Sequence, residues 1–326
     1  MKKGCIALFS GGLDSVLSAL LVRQQGISVI ALRFISPFFE KPDSGEIEEI
    51  LKKNGIRLLK KKVKEAYLDL VANPRFGRGK NINPCIDCKV YMYEEAARMF
   101  EKTGTSFIVT GDVLGQRPMT QNRDTMYMMD KKSFLKGYVL RPLTALNLNP
   151  TVPEETGMVD RSKLMGLSGR GRKKQIDLAG HFGIEKIPQP AGGCLLADSN
   201  FSGKLRDLIA HKEFSLKDVD LIKHGRFYRN KNGSRIIIAR NESESLLLWN
   251  ERGGNMINMK HYNVPGAAAV YLPGKDRDIE SAAALLSYFG KGRNLEKVEI
   301  AYKIAGKEKS LSVAPESPEK SGFLLV

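Results

Sequence analysis

Short apolar runs and amphipathic runs alternate along the first half of this 326-residue chain. The apolar runs predict strands at Cys5–Phe9, Ser28–Phe34, Ile56–Lys60 and Ser106–Thr110, and the amphipathic runs predict helices at Ser15–Gln24, Ser44–Asn54 and Val90–Thr103. This βαβ rhythm predicts an α/β fold with a doubly wound parallel sheet over residues 4 to about 145. Such sheets bind ligands at the carboxyl ends of their strands, so the loops there are the first places to look for a site.

The pattern changes twice beyond that sheet. Residues 141–200 are rich in Pro and Gly and include one basic helix, predicted at Gly171–Phe182. From about residue 215, strand-like runs surround one predicted helix, which indicates a second, smaller α+β domain. These strands are predicted at Arg235–Ala239, Ala267–Leu272 and Val298–Ile304, and the helix at Ile279–Tyr288. We therefore predict domains at 1–205 and 215–315, followed by a C-terminal tail at 316–326.

Charge and composition narrow the class of protein. The formal net charge is +16 and the pI is about 9.6, which suits a polyanionic partner such as nucleic acid. Charge alone does not distinguish such a partner from a soluble protein with a basic surface. Four cysteines are too few for a disulfide framework. No apolar run is long enough to span a membrane, and the run after Lys2 and Lys3 is too short for a signal peptide. We expect a cytoplasmic protein without a membrane partner.

One hexapeptide, Ser10-Gly11-Gly12-Leu13-Asp14-Ser15, lies between the first predicted strand and helix. Its glycines allow a sharp turn and a close approach of the backbone to a ligand. The following helix offers unpaired N–H groups and a positive dipole end, which together bind anions such as phosphate. Asp14 could position Mg²⁺. The spacing differs from that of a P-loop and from that of a dinucleotide-binding fingerprint.

This segment resembles the S-G-G-x-D-S signature of the PP-loop ATP pyrophosphatases, and all six positions match. The resemblance implies that ATP is bound and that AMP is transferred onto a substrate oxygen, with Asp14 at the magnesium ion. It implies an ATP site formed by Ser10, Gly11, Gly12, Asp14, Ser15, Arg33, Phe34, Gly111 and Gln116, with the adenine against Ala31–Phe34 and near Gly111.

Three of the four cysteines point to sulfur or metal chemistry. Cys85 and Cys88 form a C-x-x-C at the start of a predicted helix, Cys194 follows two glycines, and Cys5 lies in the first strand as a buried apolar residue. Four interpretations compete: structural zinc with His181 as a further ligand, a dithiol redox pair, a persulfide carrier, and a [4Fe–4S] cluster with one open iron.

Longer motifs favour the last two. Asn83-Pro84 to Cys88-Lys89 resembles the N-P-x-x-x-C-[NK] segment of the tRNA 2-thiouridylases, with Cys88 at the first catalytic cysteine and Gly193-Cys194 at the second. Thr110–Gln116 and Arg141-Pro142-Leu143 resemble the tRNA 4-thiouridine synthases, while Cys85, Cys88 and Cys194 together match the three-cysteine set of cluster-dependent thiolation enzymes.

These resemblances imply an ATP-dependent tRNA sulfurtransferase that uses ATP, Mg²⁺ and a [4Fe–4S] cluster. Its partners would be tRNA and a sulfur donor, either sulfide or a persulfide carrier protein. Two alternatives stay open, an enzyme that adenylates or thiolates a small molecule and an RNA-binding factor with a vestigial nucleotide site. The sequence leaves open the target uridine and whether the chain forms a homodimer.

The C-terminal domain resembles the NFACT-R RNA-binding domain over roughly residues 217–310, including His224–Arg229 and Gly233–Asn241. The resemblance implies that this domain takes the place of the N-terminal RNA-binding modules of the 4-thiouridine synthases, with Tyr228 stacked on a base. The phosphate contacts are expected from Arg226, Arg229, Arg235 and Arg240, together with Arg170, Arg172 and Lys173 around the basic helix.

Overall fold

Two sheets organise the chain, one in each of the units Met1–Ser199 and Asn200–Val326 into which its contacts divide. The computed structural model describes residues 4–39, 45–186 and 194–326. Along the chain, the boundary between the units falls at the first residue of the helix Ser199–Ala210. The sequence predicts a first domain that ends at 205. In the described ranges, no helix is both long and apolar enough to cross a membrane.

The first unit contains a five-stranded sheet in which every neighbouring pair is parallel, in the order β3-β2-β1-β4-β5. Its strands are β1 Gly4–Leu8, β2 Ser28–Ile35, β3 Arg57–Lys62, β4 Phe107–Val109 and β5 Val139–Leu140. The predicted α/β class with a doubly wound parallel sheet is confirmed. The strand order reverses between β1 and β4, and such a switch point is where open α/β sheets bind ligands.

Eight helices accompany this sheet in the described part of the unit. They are α1 Leu13–Arg23, α2 Gly45–Lys53, α3 Ala66–Ala72, α4 Cys85–Ala97, α5 Phe100–Thr103, α6 Arg123–Lys132, α7 Val152–Glu155 and α8 Lys173–His181. The predicted helix at Val90–Thr103 was placed too late, because α4 begins at Cys85, immediately after Pro84. As a result, the C-x-x-C motif forms the first turn of that helix.

A buried apolar cluster joins α1 to the sheet and to α8. Cys5 is fully buried in this cluster, which confirms its prediction as a core residue. Nearly every residue of α1 is buried, since the helix packs on the sheet and is covered by α8. The loop between β1 and α1 is therefore held at both ends by rigid elements.

The second unit is a seven-stranded antiparallel sheet, in the order β11-β10-β8-β9-β7-β6-β12. Its strands are β6 Arg226–Asn230, β7 Arg235–Ile238, β8 Ile257–His261, β9 Ala268–Leu272, β10 Val298–Ile304, β11 Lys307–Val313 and β12 Phe323–Leu325. Its helices are α9 Ser199–Ala210, α10 Leu216–Lys223, α11 Glu242–Asn250, α12 Ile279–Ser287 and α13 Pro318–Ser321. The second, smaller α+β domain is thus present, with more helices than the single one predicted.

The last residues are part of this sheet and do not form a tail. Strand β12 pairs with β6, and Phe323 is fully buried against Tyr271. The predicted tail at 316–326 missed this strand because three residues are too short to give an alternating pattern. Tyr228, predicted to stack on a base, is 4% exposed and belongs to the core of the unit. That prediction was wrong, because β6 turns the tyrosine inward.

Candidate nucleotide and thiol site

The turn between β1 and α1 has the geometry of an anion cradle. Gly11 adopts a left-handed conformation with a φ of 75°, which a glycine tolerates without strain. The Ser15 hydroxyl donates to the Gly12 carbonyl at 2.7 Å, and the Gly12 amide points to the Ser10 hydroxyl at 3.3 Å. These bonds keep the loop compact at the N-terminus of α1, where the helix dipole favours a phosphate.

Asp14 projects from the first turn of α1 and is only partly satisfied. Its Oδ2 accepts a hydrogen bond from Gln116 at 3.0 Å, whereas its buried Oδ1 has no hydrogen-bond partner among the described residues. Burial raises the pKa of Asp14, and the hydrogen bond from Gln116 and the charges of Arg172 and Arg117 only partly offset that rise. A buried carboxylate oxygen without a partner is suited to a cation, and Mg²⁺ prefers oxygen ligands.

Gly111 packs directly against this loop from the end of β4. A Cβ at position 111 would lie 2.6 Å from both the Asp14 carbonyl carbon and the Ser15 nitrogen. A glycine is therefore required for the segment after β4 to approach the start of α1. The predicted PP-loop residues and Gly111 and Gln116 thus lie on the two sides of the sheet's switch point.

The two cysteines at the start of α4 each receive a hydrogen bond to sulfur. The Tyr67 hydroxyl donates to Cys88 Sγ at 3.0 Å, and the Asn83 side-chain amide donates to Cys85 Sγ at 3.1 Å. Burial raises the pKa of the Cys88 thiol to about 11, although the Tyr67 hydrogen bond acts in the opposite direction. Asn83 is part of the N-P motif, while nothing in the sequence marked Tyr67.

Cys194 reaches the same place from a distant part of the chain. The segment after it is fixed by two hydrogen bonds, from Leu195 N to Phe38 O at 2.8 Å and from Asn81 Nδ2 to Ala197 O at 2.6 Å. Burial and then the negative charges of Cys88 and Cys85 raise the pKa of the Cys194 thiol to about 12. The three predicted cysteines are therefore electrostatically coupled. Gly193, which was part of the same motif, lies outside the described residues.

Aromatic rings cluster around Tyr67, the residue that donates a hydrogen bond to the Cys88 thiol. Tyr67 is fully buried, and its ring centroid lies 5.2 Å from Tyr91 and 6.1 Å from both Phe38 and Phe39. Phe34, an expected adenine contact, joins this shell with its ring 6.3 Å from Tyr91. The rings fix the position of Tyr67, while Cys88 itself is only partly buried.

An ion pair connects the cysteine helix to the end of β4. Lys89, the residue after Cys88, pairs with Asp112, which also accepts from Gln121 at 2.8 Å and from Thr110 at 3.0 Å. Burial raises the pKa of Asp112, but the charges of Lys89 and Arg141 and the hydrogen bonds outweigh burial and hold the pKa below its usual range. The segment Thr110–Asp112 therefore connects α4 to the nucleotide loop.

Thiolate sulfur is the ligand that iron–sulfur clusters use, and the charges of Cys85 and of the neighbouring carboxylate Asp87 both act on Cys88. No three His, Cys, Asp or Glu side chains of the described ranges form a group that could hold a single metal ion. His181, the further ligand considered for zinc, is exposed at the end of α8, where its ring packs edge-on against Phe182.

The remaining predicted residues of this unit fall into two groups. Arg33 is buried near the carboxyl end of β2, next to Phe34 in the chain, and its contact with adenine stays a prediction. Arg170 and Lys173 are exposed at the start of α8. Arg172, predicted to contact RNA, lies near enough for its charge to act on Asp14, and Arg117, which the sequence did not single out, does the same.

Most of the predicted RNA-binding arginines of the second unit are engaged by carboxylates. Arg229 is 8% exposed and binds Asp207 and Glu213, with its Nη2 at 2.6 Å and 2.5 Å. Arg235 binds Asp218 at 2.8 Å, and Arg240 pairs with Glu244 one helical turn away. Arg226 packs over the Phe289 ring at 5.3 Å. These partners could not be predicted from the sequence, because Asp207 lies on α9, Asp218 lies on α10 and Glu213 lies in the loop between the two helices.

Comparisons with known proteins agree with this division. Residues 1–153 match the family model of the thiamine biosynthesis protein (ThiI), and residues 225–322 match that of the NFACT protein RNA binding domain. A probable tRNA sulfurtransferase of Thermococcus kodakarensis is 31% identical over 156 residues, which is 44% of this chain and 37% of the relative. The tRNA-specific 2-thiouridylase MnmA of Histophilus somni is 26% identical over 237 residues, 62% of this chain and 59% of the relative.

The chain thus spans less than two thirds of the length of either relative. A solved structure of a 4-thiouridine synthetase–RNA complex with bound ATP overlaps 67% of this chain and 52% of its own, with 18% identity and a TM-score of 0.40. Residues 1–153 are therefore similar to the ThiI family, and residues 225–322 are similar to the RNA-binding domain of the NFACT family.

Proposed function

We propose that this protein is an ATP-dependent tRNA sulfurtransferase, which adenylates a uridine carbonyl oxygen and replaces that oxygen with sulfur. One observation supports the proposal: the candidate phosphate cradle and the helix that begins with Cys85 and Cys88 are both attached to the segment after β4. The contact of Gly111 with Asp14 and the pairing of Asp112 with Lys89 join the two parts. Adenylation and sulfur transfer need such proximity, because the adenylated base must react with sulfur before water hydrolyses it.

In the first step, the phosphates of ATP bind the loop Ser10–Ser15, and the uridine oxygen attacks the α-phosphorus. A P–O bond forms to the base, and pyrophosphate leaves. The backbone N–H groups of the loop and the nearby charges of Arg117 and Arg172 would stabilise the negative charge that develops. The poor leaving group, an oxygen of the base, becomes the good leaving group AMP.

Asp14 fits the role of a magnesium ligand, since its buried Oδ1 lacks a partner and its Oδ2 is oriented by Gln116. Mg²⁺ bound there would neutralise charge on the pyrophosphate. Gln116 thereby contributes to the site by holding the carboxylate in one orientation.

In the second step, sulfur attacks the ring carbon, AMP departs with the original oxygen, and a proton is released if the nucleophile is hydrosulfide. The thiolates of Cys85, Cys88 and Cys194 would hold a [4Fe–4S] cluster, which supplies an open coordination position for sulfide. Tyr67 and Asn83 orient two of the sulfur atoms by donating hydrogen bonds to them. The alternative source is a persulfide on Cys194: its outer sulfur attacks the ring carbon as AMP departs, and the Cys88 thiolate then attacks Cys194 Sγ. This releases the thiolated base and leaves a Cys88–Cys194 disulfide, which an external thiol must reduce.

The second unit would bind the tRNA, as the name of the matching RNA-binding family suggests. A net charge of +16 supports a polyanionic substrate. The sulfur donor would be sulfide or a persulfide carrier.

A first experiment follows ³²P exchange between ATP and pyrophosphate with and without unmodified tRNA. We expect exchange that depends on tRNA in the wild type, and a loss of at least 100-fold in Asp14→Asn, which removes a charge at the cradle. Asp177→Asn, an exposed carboxylate on α8, is the matched control and should exchange normally. Exchange with a small molecule alone would indicate the small-molecule enzyme, and no exchange under any condition would indicate the RNA-binding factor.

A second experiment tests the thiols. Protein purified anaerobically should contain iron and acid-labile sulfide and should thiolate tRNA, as measured by mass spectrometry of tRNA nucleosides. Cys88→Ser should lose cluster and thiolation but keep exchange, whereas Cys5→Ala, a cysteine of the core, should keep all three. Thiolation with no iron in the protein would favour the persulfide route, and intact thiolation in Cys88→Ser would contradict the role given to this residue.

A further inference from the structure

The only tryptophan of the chain, Trp249 on α11, is associated with two lysines of the neighbouring sheet. Lys260 Nζ lies 4.3 Å and Lys303 Nζ lies 3.7 Å from the centroid of the indole ring. The two ammonium groups therefore lie within 8.0 Å of each other, although they belong to different strands, β8 and β10.

The strand register places the three side chains on one face of the sheet. In the ladder between β8 and β10, Lys260 is paired with Ala301 and Lys303 is paired with Asn258, so the two lysines lie on the same face. Met259 and Ile300 lie on the other face, which belongs to the core. The core face is covered by α12, whereas Lys260 and Lys303 point to the opposite face, where α11 packs on β8 and β9. The exposed residues of β11 continue that opposite face.

These two lysines differ from the arginines that the sequence suggested. Arg229 and Arg235 are neutralised by carboxylates, as described above. Lys260 and Lys303 have no carboxylate partner among the described residues, even though Glu308 lies directly opposite Lys303 in the ladder. Their charge is thus available to a ligand, and the indole ring orients it.

Two ammonium groups held close together repel each other, and the negative face of the indole only partly offsets that repulsion. An anion between them would remove it, and a phosphate has the size and charge for that position. Tyr262 follows two residues after Lys260, its amide continues the ladder to Glu299 O at 3.0 Å, and its ring is 64% exposed. Exposed aromatic rings beside cations are typical of RNA-binding surfaces, because the rings stack on bases.

We propose that Trp249, Lys260, Lys303 and Tyr262, here called the Trp249 surface, form an RNA contact of the second unit, in which the two lysines bind backbone phosphate and Tyr262 stacks on a base. This proposal rests on the proposed function, because it takes tRNA as the substrate. It assigns the contact to the face opposite α12 and moves it away from the arginines of β6 and β7 that pair with carboxylates.

The test uses the full-length protein and the fact that its tryptophan emission comes from one residue. Titration with unmodified tRNA should change the Trp249 fluorescence and saturate at the same tRNA concentration as binding measured by filter retention. Poly-glutamate of equal charge serves as the comparison ligand. If poly-glutamate changes the emission at the same concentration as tRNA does, the surface binds acidic polymers in general and the RNA proposal is overturned.

The matched variants are Lys260→Gln/Lys303→Gln and, as control, Lys231→Gln/Lys275→Gln, which removes two exposed lysines elsewhere in the unit. Each lysine–phosphate contact contributes about 0.7 to 0.9 to the slope of log K against log salt, so removal of the two contacts in the first pair should lower that slope by about 1.4 to 1.8. The control pair should lower it by less than about 0.5. Tyr262→Ala should weaken binding without changing the slope. Urea unfolding of each variant verifies that the unit remains folded.

Equal slopes in the two lysine pairs, or saturable tRNA binding without a change in Trp249 emission, would overturn the inference and leave the proposed function intact. A wild type that binds no tRNA and does not thiolate it would overturn both. Retained thiolation with a changed salt slope only in Lys260→Gln/Lys303→Gln supports both together.

Discussion

Gly111→Ala adds one methyl group at the closest approach between the end of β4 and the nucleotide loop. The new Cβ would lie 2.6 Å from the Asp14 carbonyl carbon and from the Ser15 nitrogen, and 2.8 Å from the Asp14 carbonyl oxygen. All three atoms belong to the backbone of the first turn of α1, so no flexible side chain can move aside. The loop itself must move.

The size of the effect follows from these distances. Ordinary carbon contacts lie at roughly 3.5–4.0 Å, so the loop must retreat by about 1 Å. A displacement of about 1 Å at a reacting centre can cost about 100-fold in rate. Overpacking a tight contact also costs about 1–3 kcal/mol of folding stability. We therefore expect tRNA-dependent ATP–pyrophosphate exchange to fall by about two orders of magnitude, with a modest loss of stability.

The assay measures kcat and KM for ATP in the exchange reaction, together with urea unfolding. Gly180→Ala is the control, because this glycine lies within α8 with open space around its Cα and a helical alanine should stabilise it by about 0.5–1 kcal/mol. If Gly111→Ala keeps the wild-type kcat and KM, the close approach of β4 to the loop does not determine the geometry of the nucleotide site.

Three further variants test the packing described above by urea unfolding. Asp112→Asn leaves Lys89 without its buried partner and should cost about 3–5 kcal/mol at pH 7. Because the folded pKa of Asp112 lies below the unfolded value of about 3.9, its contribution is complete above that value and is lost as the pH falls further, and Asp112→Asn should lack this acid dependence. Arg229→Met should cost about 3 kcal/mol by leaving Asp207 unpaired, and a stability equal to that of the wild type would contradict the ion pair. Phe323→Ala should cost about 3–5 kcal/mol if β12 belongs to the sheet, and no loss would return residues 316–326 to the status of a tail.

The nucleotide loop was predictable because its chemistry is local. Glycines, serines and the aspartate follow one another within six residues, and the strand and helix on either side have clear patterns. The segment from Gly111 to Gln116 was assigned to the same site only because its motif resembles that of a known family. Its contact with Asp14 depends on the order of the strands in the sheet, which residue spacing does not reveal.

The thiol site was predictable only in part, for the same reason. The cysteines were identifiable by their residue type, and Asn83 by the motif beside them. Tyr67 belongs to a seven-residue helix without a distinguishing pattern, yet it supplies the hydrogen bond to Cys88 Sγ. A buried tyrosine in such a helix is usually a core residue, and only the position of its hydroxyl indicates a second role.

The arginines of β6 and β7 illustrate the opposite case, in which a residue type suggests a function that the three-dimensional neighbourhood makes less favourable. Arginine binds phosphate and carboxylate with the same planar geometry, so the sequence cannot distinguish the two. Arg229 is held by Asp207 and Glu213, and for RNA to bind it, a phosphate would have to displace both carboxylates. Glu308 lies opposite Lys303 in the ladder, but no ion pair joins the two side chains in the described part of the chain. The formal net charge of a domain therefore overestimates the positive charge that can bind RNA phosphate. That charge is better estimated by counting the cations that have no carboxylate partner.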